Sequence, residues 1–198
     1  MLVRGEKHYD RPRPFPKDGD YDIHEDGGLF ADRQAARFAA RRMKLLEPPS
    51  VPPGSWLLWM DASMVPKVPL NAVVEDWLSE GHHLALMKHP ERDCAYDEVD
   101  VCVERRKLDK RKGHQIKAFL AMRGLPKNYG LWACGVIAWR HACKELRERW
   151  WSITVHTGLR DQVALPMALF DLGLRDRLRT VHASIWKNDW FEWVPHGR

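Results

Sequence analysis

Apolar residues in this chain fall into two rhythms that alternate: unbroken runs of strand length, and runs spaced three to four apart. The unbroken runs are Trp56-Leu57-Leu58-Trp59-Met60, His83-Leu84-Ala85-Leu86-Met87-Lys88 and Leu131-Trp132-Ala133-Cys134-Gly135-Val136-Ile137-Ala138-Trp139. Runs of this kind suit strands covered on both faces, as in a parallel sheet. The helical rhythm is clearest at Ala35, Ala36, Phe38, Ala39, Ala40, Met43, Leu45 and Leu46, with Asp32 as N-cap and Pro48-Pro49 as the stop. Further helices are predicted from about Leu70 to Leu78, stopped by Gly81, and from Tyr96 to about Lys112, broken by Gly113. Others cover roughly Gln115 to Met122, Ala142 to about Val155, and Arg160-Asp161-Gln162 to Phe170. Asp20 to His24 and Leu178 to Val181 read as short strands. Met1 to Lys17 is charged and proline-rich and reads as an irregular arm, while the aromatic tail 185–196 has no period.

Strand and helix in alternation predict one α/β domain, with a mostly parallel central sheet and helices on both faces. No repeat, low-complexity stretch or linker divides the 198 residues. A 44% apolar and 30% charged composition fits a globular domain. The net charge of +5 is a mild basic bias, compatible with a phosphate-bearing partner. Basic residues are interleaved with acids and not gathered in a stripe, which disfavours nucleic acid as the partner. Cys94, Cys102, Cys134 and Cys143 form no C-x-x-C pair, which argues against a zinc ribbon, and reduced, buried thiols in a cytoplasmic protein are expected. No apolar run approaches the roughly 18–20 residues of a membrane span. P-loop, dinucleotide and G-x-S-x-G signatures are all missing.

Polar clusters follow three of the apolar strands: Asp61 with Ser63, Lys88-His89-Pro90-Glu91-Arg92, and Arg140-His141. If those strands are parallel neighbours, the clusters meet at one edge of the sheet, where α/β proteins bind ligands. A carboxylate at a strand exit suits a metal ion or a sugar hydroxyl, and it equally suits a turn cap. Arg37, Arg41 and Lys44 share one helix face, either as a solvated row or as a phosphate grip. His89 fits a hydrogen-bonded structural role as well as a catalytic one. Ten tryptophans supply core, but also flat surfaces for sugars or bases.

The order of these motifs resembles a glycosyltransferase-like domain family found in bacterial and phage proteins. Plant proteins linked to mucilage polysaccharide, or carrying an alkaline-ceramidase-related label, share it. The resemblance rests on Tyr9-Asp10, Arg41 to Lys44, Trp59-Met60-Asp61, and Lys88-His89-Pro90-Glu91-Arg92-Asp93-Cys94-Ala95-Tyr96-Asp97-Glu98. It continues through Gly130-Leu131 to Arg140-His141, Trp150-Trp151 and Arg160-Asp161-Gln162, and covers about residues 9 to 170.

The resemblance implies a GT-A type nucleotide-diphospho-sugar transferase. Asp61 stands at the first acid of an Asp-x-Asp metal motif, with Ser63 at the second acid position, and His196 is the late histidine of the metal site. Mn²⁺ or Mg²⁺ is the expected ion. Arg41, Lys44, Lys88, Arg92, Asp61 and Ser63 are the expected donor and phosphate ligands. His89, Arg140 and Asp161 are the catalytic candidates, with Gln162 and Trp151 on the acceptor side. The expected activity moves a sugar from a nucleotide-diphosphate donor to a carbohydrate or glycoconjugate acceptor. Two alternatives stand beside it: an inactive carbohydrate- or nucleotide-binding domain of the same fold, and a nucleic-acid-binding protein. Ser63 and the weak apolar start Met1 to Glu6 favour the first of these.

Overall fold

The computed structural model describes residues 2–5, 23–26, 33–46, 54–61, 63–78, 82–140 and 143–194. In chain order the elements are β1 (Leu2–Gly5), β2 (Ile23–Asp26), α1 (Arg33–Leu45), β3 (Trp56–Asp61), β4 (Met64–Pro66), α2 (Leu70–Trp77) and β5 (Leu84–Lys88). They continue with α3 (Ala95–Glu104), α4 (Lys110–Met122), β6 (Trp132–Arg140), α5 (Lys144–His156), α6 (Asp161–Leu172), β7 (Leu178–Val181) and β8 (Phe191–Trp193).

Six strands form one mixed sheet in the order β2-β1-β3-β6-β5-β7, and β4 pairs with β8 in a separate two-stranded sheet. Neighbours β2/β1, β1/β3 and β5/β7 are parallel, whereas β6 runs antiparallel to both β3 and β5. A single reversed strand in the middle therefore separates two parallel sets that point the same way.

Each apolar run divides its side chains between the two faces, because successive residues of a strand point to opposite sides. Leu57, Trp59, Leu84 and Leu86 pack on one face with residues of α1, α3, α4, α5 and α6. Leu58, Met60, Ala85 and Met87 pack on the other with α2, Met64 and Phe191. Helices cover both faces, five on one side and α2 on the other.

β6 changes face midway. Trp132 and Cys134 belong to the first core, but so do Ile137 and Trp139, so parity flips across Gly135. The register shows the cause: Leu86 faces Ile137 while the next residue, Met87, faces Ala133. On the β3 side pairing ends at Met60 with Val136. Cys134 and Gly135 thus lie in a bulge, a device that frees backbone groups and re-aims side chains.

Three expectations are corrected. Leu2–Gly5, expected within an irregular arm, is a strand between β2 and β3. The expected helix from Tyr96 to Lys112 is two helices, since Arg106 takes a positive φ of 53° and the Asp109 carboxylate accepts from the Lys112 N–H at 2.7 Å to cap α4. Gly113 is not a break but a buried residue inside α4, where a Cβ would sit 2.5 Å from Val103 Cγ2 of the segment ahead. The bare glycine lets α3 and α4 touch.

All four cysteines are free and buried, as expected for reduced thiols. No described helix is long and apolar enough to cross a membrane.

Gly113→Ala gains about 1 kcal/mol of helix propensity in isolation. Overpacking against Val103 outweighs that, and we expect a net loss of about 1–2 kcal/mol in urea unfolding. Adding Val103→Ala should restore part of the loss; a stabilised Gly113→Ala protein would contradict the close contact.

Candidate functional site

A cluster of charged side chains, largely buried, sits where α1, the exit of β3, the β6 bulge and the start of α6 meet. Lys44 lies on the inward face of α1, with none of its side chain exposed to solvent. Its Nζ donates to Asp161 Oδ2 at 2.7 Å and to the Cys134 carbonyl, and lies 3.7 Å from Asp61 Oδ1. The bulge explains the carbonyl, because a regular β6 would direct it at a neighbouring strand. Arg41, one turn earlier on α1, brings Nε within 3.2 Å of the same Asp161 oxygen, an ion pair without hydrogen-bond alignment. Two cations and two carboxylates are thereby gathered in one place.

Asp161 is the first residue of α6, where the helix dipole favours negative charge. Trp150 Nε1 donates to its backbone carbonyl at 2.8 Å. Burial pushes its carboxyl upward, but the charges of Arg41 and Lys44 outweigh burial and hold it at about 2. Burial likewise works against the Lys44 ammonium, yet Asp161 and Asp61 keep its pKa above the ordinary value. Burial, helped by Asp161, pushes the Cys134 thiol well above its ordinary range, so it stays a thiol. A carboxylate near 2 is a poor proton acceptor at neutral pH. Asp161 therefore anchors the group instead of exchanging protons.

Asp61 differs from its partners in being partly open, with 38% of its side chain exposed. Trp59 Nε1 donates to Oδ1 at 2.9 Å, and the Lys44 ammonium lies 5.6 Å from the centre of the Trp59 ring. One oxygen is thus held by the fold. Oδ2 faces Gly135, lying 3.8 Å from where a Cβ would stand.

Lys88 ends β5 on the same edge as the end of β3, because β5 runs with β3 and one strand lies between them, and His89 and Arg92 follow it. Lys88 is exposed. His89 is buried, and its Nδ1 accepts from the N–H groups of Glu91 and Arg92 at 3.2 and 3.1 Å, which fixes the Nε2–H tautomer. Burial lowers its pKa against the pull of Glu98, so the ring is neutral at pH 7. Arg92 Nε donates to Glu98 Oε2 at 2.7 Å and Nη1 to Glu91 at 2.8 Å. This cluster is a self-satisfied turn on the same sheet edge as the open carboxylate.

Arg140 is not brought to this edge. β6 is antiparallel to β3, so Arg140 pairs in register with Trp56 at the start of that strand and stacks on its ring at 4.1 Å. The expected convergence of three strand exits is corrected to two. Trp151 packs edge-on against Phe38 at 5.1 Å, and Gln162 follows Asp161 at the partly buried start of α6. Ser63 is buried, with its carbonyl accepting from the Val194 N–H at 2.8 Å. His141, His196 and Tyr9-Asp10 lie outside the described residues.

No protein-family model matches the chain, and no curated protein matches it.

Among the described residues no three His, Cys, Asp or Glu side chains gather as a metal cage. Asp61 suits another arrangement. Mg²⁺ typically takes one or two protein carboxylates, with phosphate oxygens and waters completing the shell. A single open carboxylate oxygen at a strand exit fits an ion brought in on a diphosphate.

Sequence reading missed Cys134, Gly135 and the Trp59 indole as parts of the site. The visible signal was Gly135 itself, since a lone glycine within a strand pattern marks a bulge or a close approach.

Removing Lys44 leaves two carboxylates and a carbonyl without their ammonium, so Lys44→Met should cost about 3–5 kcal/mol in urea unfolding. The folded pKa of Asp161 lies below its ordinary 3.8, so its contribution is full above pH 3.8 and fades as pH falls toward 2. That contribution is about 2 kcal/mol. Asp161→Asn should flatten the fall in stability between pH 4 and pH 2; an unchanged acid limb would show that Asp161 is not held by Arg41 and Lys44.

Proposed function

We propose that this chain is a GT-A type sugar transferase whose nucleotide-diphosphate donor binds at the edge where β3 and β5 end. One observation carries the reading: among the described residues, Asp61 is the only member of the four-charge cluster with an oxygen that meets no partner and with substantial exposure. Its other oxygen is fixed by an indole N–H and a buried ammonium, so the carboxylate is oriented before any ligand arrives. Preorganised charge of this kind is what stabilises charge that develops during a reaction.

Asp61, with Mg²⁺ or Mn²⁺ carried on the diphosphate, would hold the donor's phosphates. Such an ion supplies neutralisation of the departing nucleoside diphosphate. Arg41, partly exposed beside Asp61, and Lys88, exposed on the same edge, are the cations in reach of phosphate oxygens. Lys44 is enclosed and acts through its neighbours: it sets the orientation of Asp61 and ties it to α6. Gly135, without a Cβ, makes room for Ile185 Cδ1, which lies 2.7 Å from where that Cβ would stand, beside Asp61 Oδ2. His89 supports the turn that presents Lys88.

The second reading, a domain that binds nucleotide-sugar without transfer, is favoured by one feature. Ser63, at the second acid position, is buried and its backbone is tied to Val194. Binding without turnover is its signature.

Calorimetry with UDP-glucose, UDP-galactose, UDP-N-acetylglucosamine and GDP-mannose, each with and without Mn²⁺, tests the proposal. At least one should bind more tightly with the metal, and Asp61→Asn should weaken it about tenfold or more, or ~1.4 kcal/mol. No binding by any donor, or binding indifferent to Asp61→Asn, would end it. Bound donor with no hydrolysis or transfer would select the non-catalytic reading.

A further inference from the structure

At the sheet edge where β5 and β7 begin, opposite the edge that carries Asp61, lies a cavity of about 270 Å³. Small-molecule sites run upward from roughly 300 Å³, so this one has the size for a single small metabolite. Its floor is aliphatic, made by Leu84, Leu146, Leu169, Leu174 and Leu178. Four of the five are almost wholly buried, with Leu174 packed against them, so the floor is part of the main core.

His83, Cys143, Glu145 and Arg177 form the polar part of the lining. Backbone bonds hold this part in place. The His83 N–H donates to the Arg177 carbonyl at 3.2 Å. The His83 carbonyl accepts from the Arg140 N–H at 2.9 Å and from the Cys143 thiol at 3.2 Å. The Arg177 N–H in turn donates to the Leu174 carbonyl at 3.0 Å. The frame is fixed without engaging the charged tips.

Neighbouring charges behave differently. Arg175, in the same short turn as Arg177, stacks on Trp132 at 4.8 Å, and Arg179 lies 3.9 Å from Asp76. On α5, Lys144 pairs with Glu148 at 3.8 Å. The Arg177 guanidinium and the Glu145 carboxylate meet no partner among the described residues, and they do not pair with each other although both line the cavity. A free cation and a free anion above an apolar floor are the complement of a ligand with the opposite two charges and an apolar body. The first turn of α5 strengthens the anion-binding side: its dipole favours negative charge, and the Cys143 side chain does not cap it.

We propose that this cavity binds a free α-amino acid with an aliphatic side chain, its carboxylate on Arg177, its ammonium on Glu145 and its side chain among the leucines. The site goes beyond the sugar-transfer reading and shares no residue with the donor edge.

Isothermal titration of the full chain with L-leucine, L-isoleucine and L-valine tests it. At least one should bind saturably. Glycine, the matching carboxylic acid without its amine, and the matching amine without its carboxylate each lack one of the three recognised parts. Each should bind about tenfold more weakly or worse, the worth of one charge-assisted hydrogen bond or a few buried methylenes. Arg177→Gln and Glu145→Gln should each weaken the amino acid by about tenfold or more, and Arg177→Lys should recover part of the loss. Both positions are exposed, so circular dichroism of the variants should match wild type. Absence of binding by all three amino acids would overturn the site. Affinity unchanged in both glutamine variants, or a des-amino acid that binds as tightly as its amino acid, would overturn it equally.

Discussion

The contact on which this structure turns is the Lys44 ammonium enclosed between Asp161, Asp61 and the Cys134 carbonyl. It joins four elements distant in sequence: α1, β3, β6 and α6. Withdrawing charges from water is costly, and only good geometry with added hydrogen bonds offsets it. Here the two cations and two anions balance. The lysine meets a bulge carbonyl, and an indole N–H takes up part of Asp61's hydrogen-bonding capacity. An ion pair of this kind contributes less to net stability than to arrangement, because losing one partner strands the others. It fixes how α1 and α6 lie against the bulge of β6.

The reversed central strand decides what that arrangement faces. With β6 antiparallel to both neighbours, the ends of β3 and β5 share one edge, and Arg140 goes to the other with Trp56. The bulge at Cys134 and Gly135 then has two effects. It turns a carbonyl toward Lys44, and it places the bare Gly135 where Ile185 packs beside Asp61. A regular strand would have supplied neither.

Within the proposed transferase, charge is graded from inside to outside. Asp161 and Lys44 are buried and hold their ionised forms by mutual attraction, which unsuits Asp161 for taking up a proton. Arg41 is partly exposed and Asp61 more so. Chemistry at the donor's phosphates then falls to the outer pair, and the inner pair sets their position. The tail reaches the surroundings of the site through Val194 on Ser63 and Ile185 against Gly135, so residues far apart in the chain depend on one another.

Much of the secondary structure was written locally. Apolar runs marked β3, β5 and β6, helical spacing marked α1, α2, α5 and α6, and Asp61 already stood out as an acid at a strand exit. Those features depend on neighbours within a turn or a strand, and short-range sterics and burial preference fix them. The direction of β6 is different, since an apolar run reads alike in parallel and antiparallel company, and this alone sent Arg140 to the far edge. Gly113 looked like a helix stop because glycine is costly in a helix, yet the close approach of Val103 requires it there. The inward turn of Lys44 was equally invisible. A basic residue on an amphipathic helix is ordinarily a solvated one, and only the meeting of a bulge carbonyl with two remote carboxylates makes burial of an ammonium tolerable.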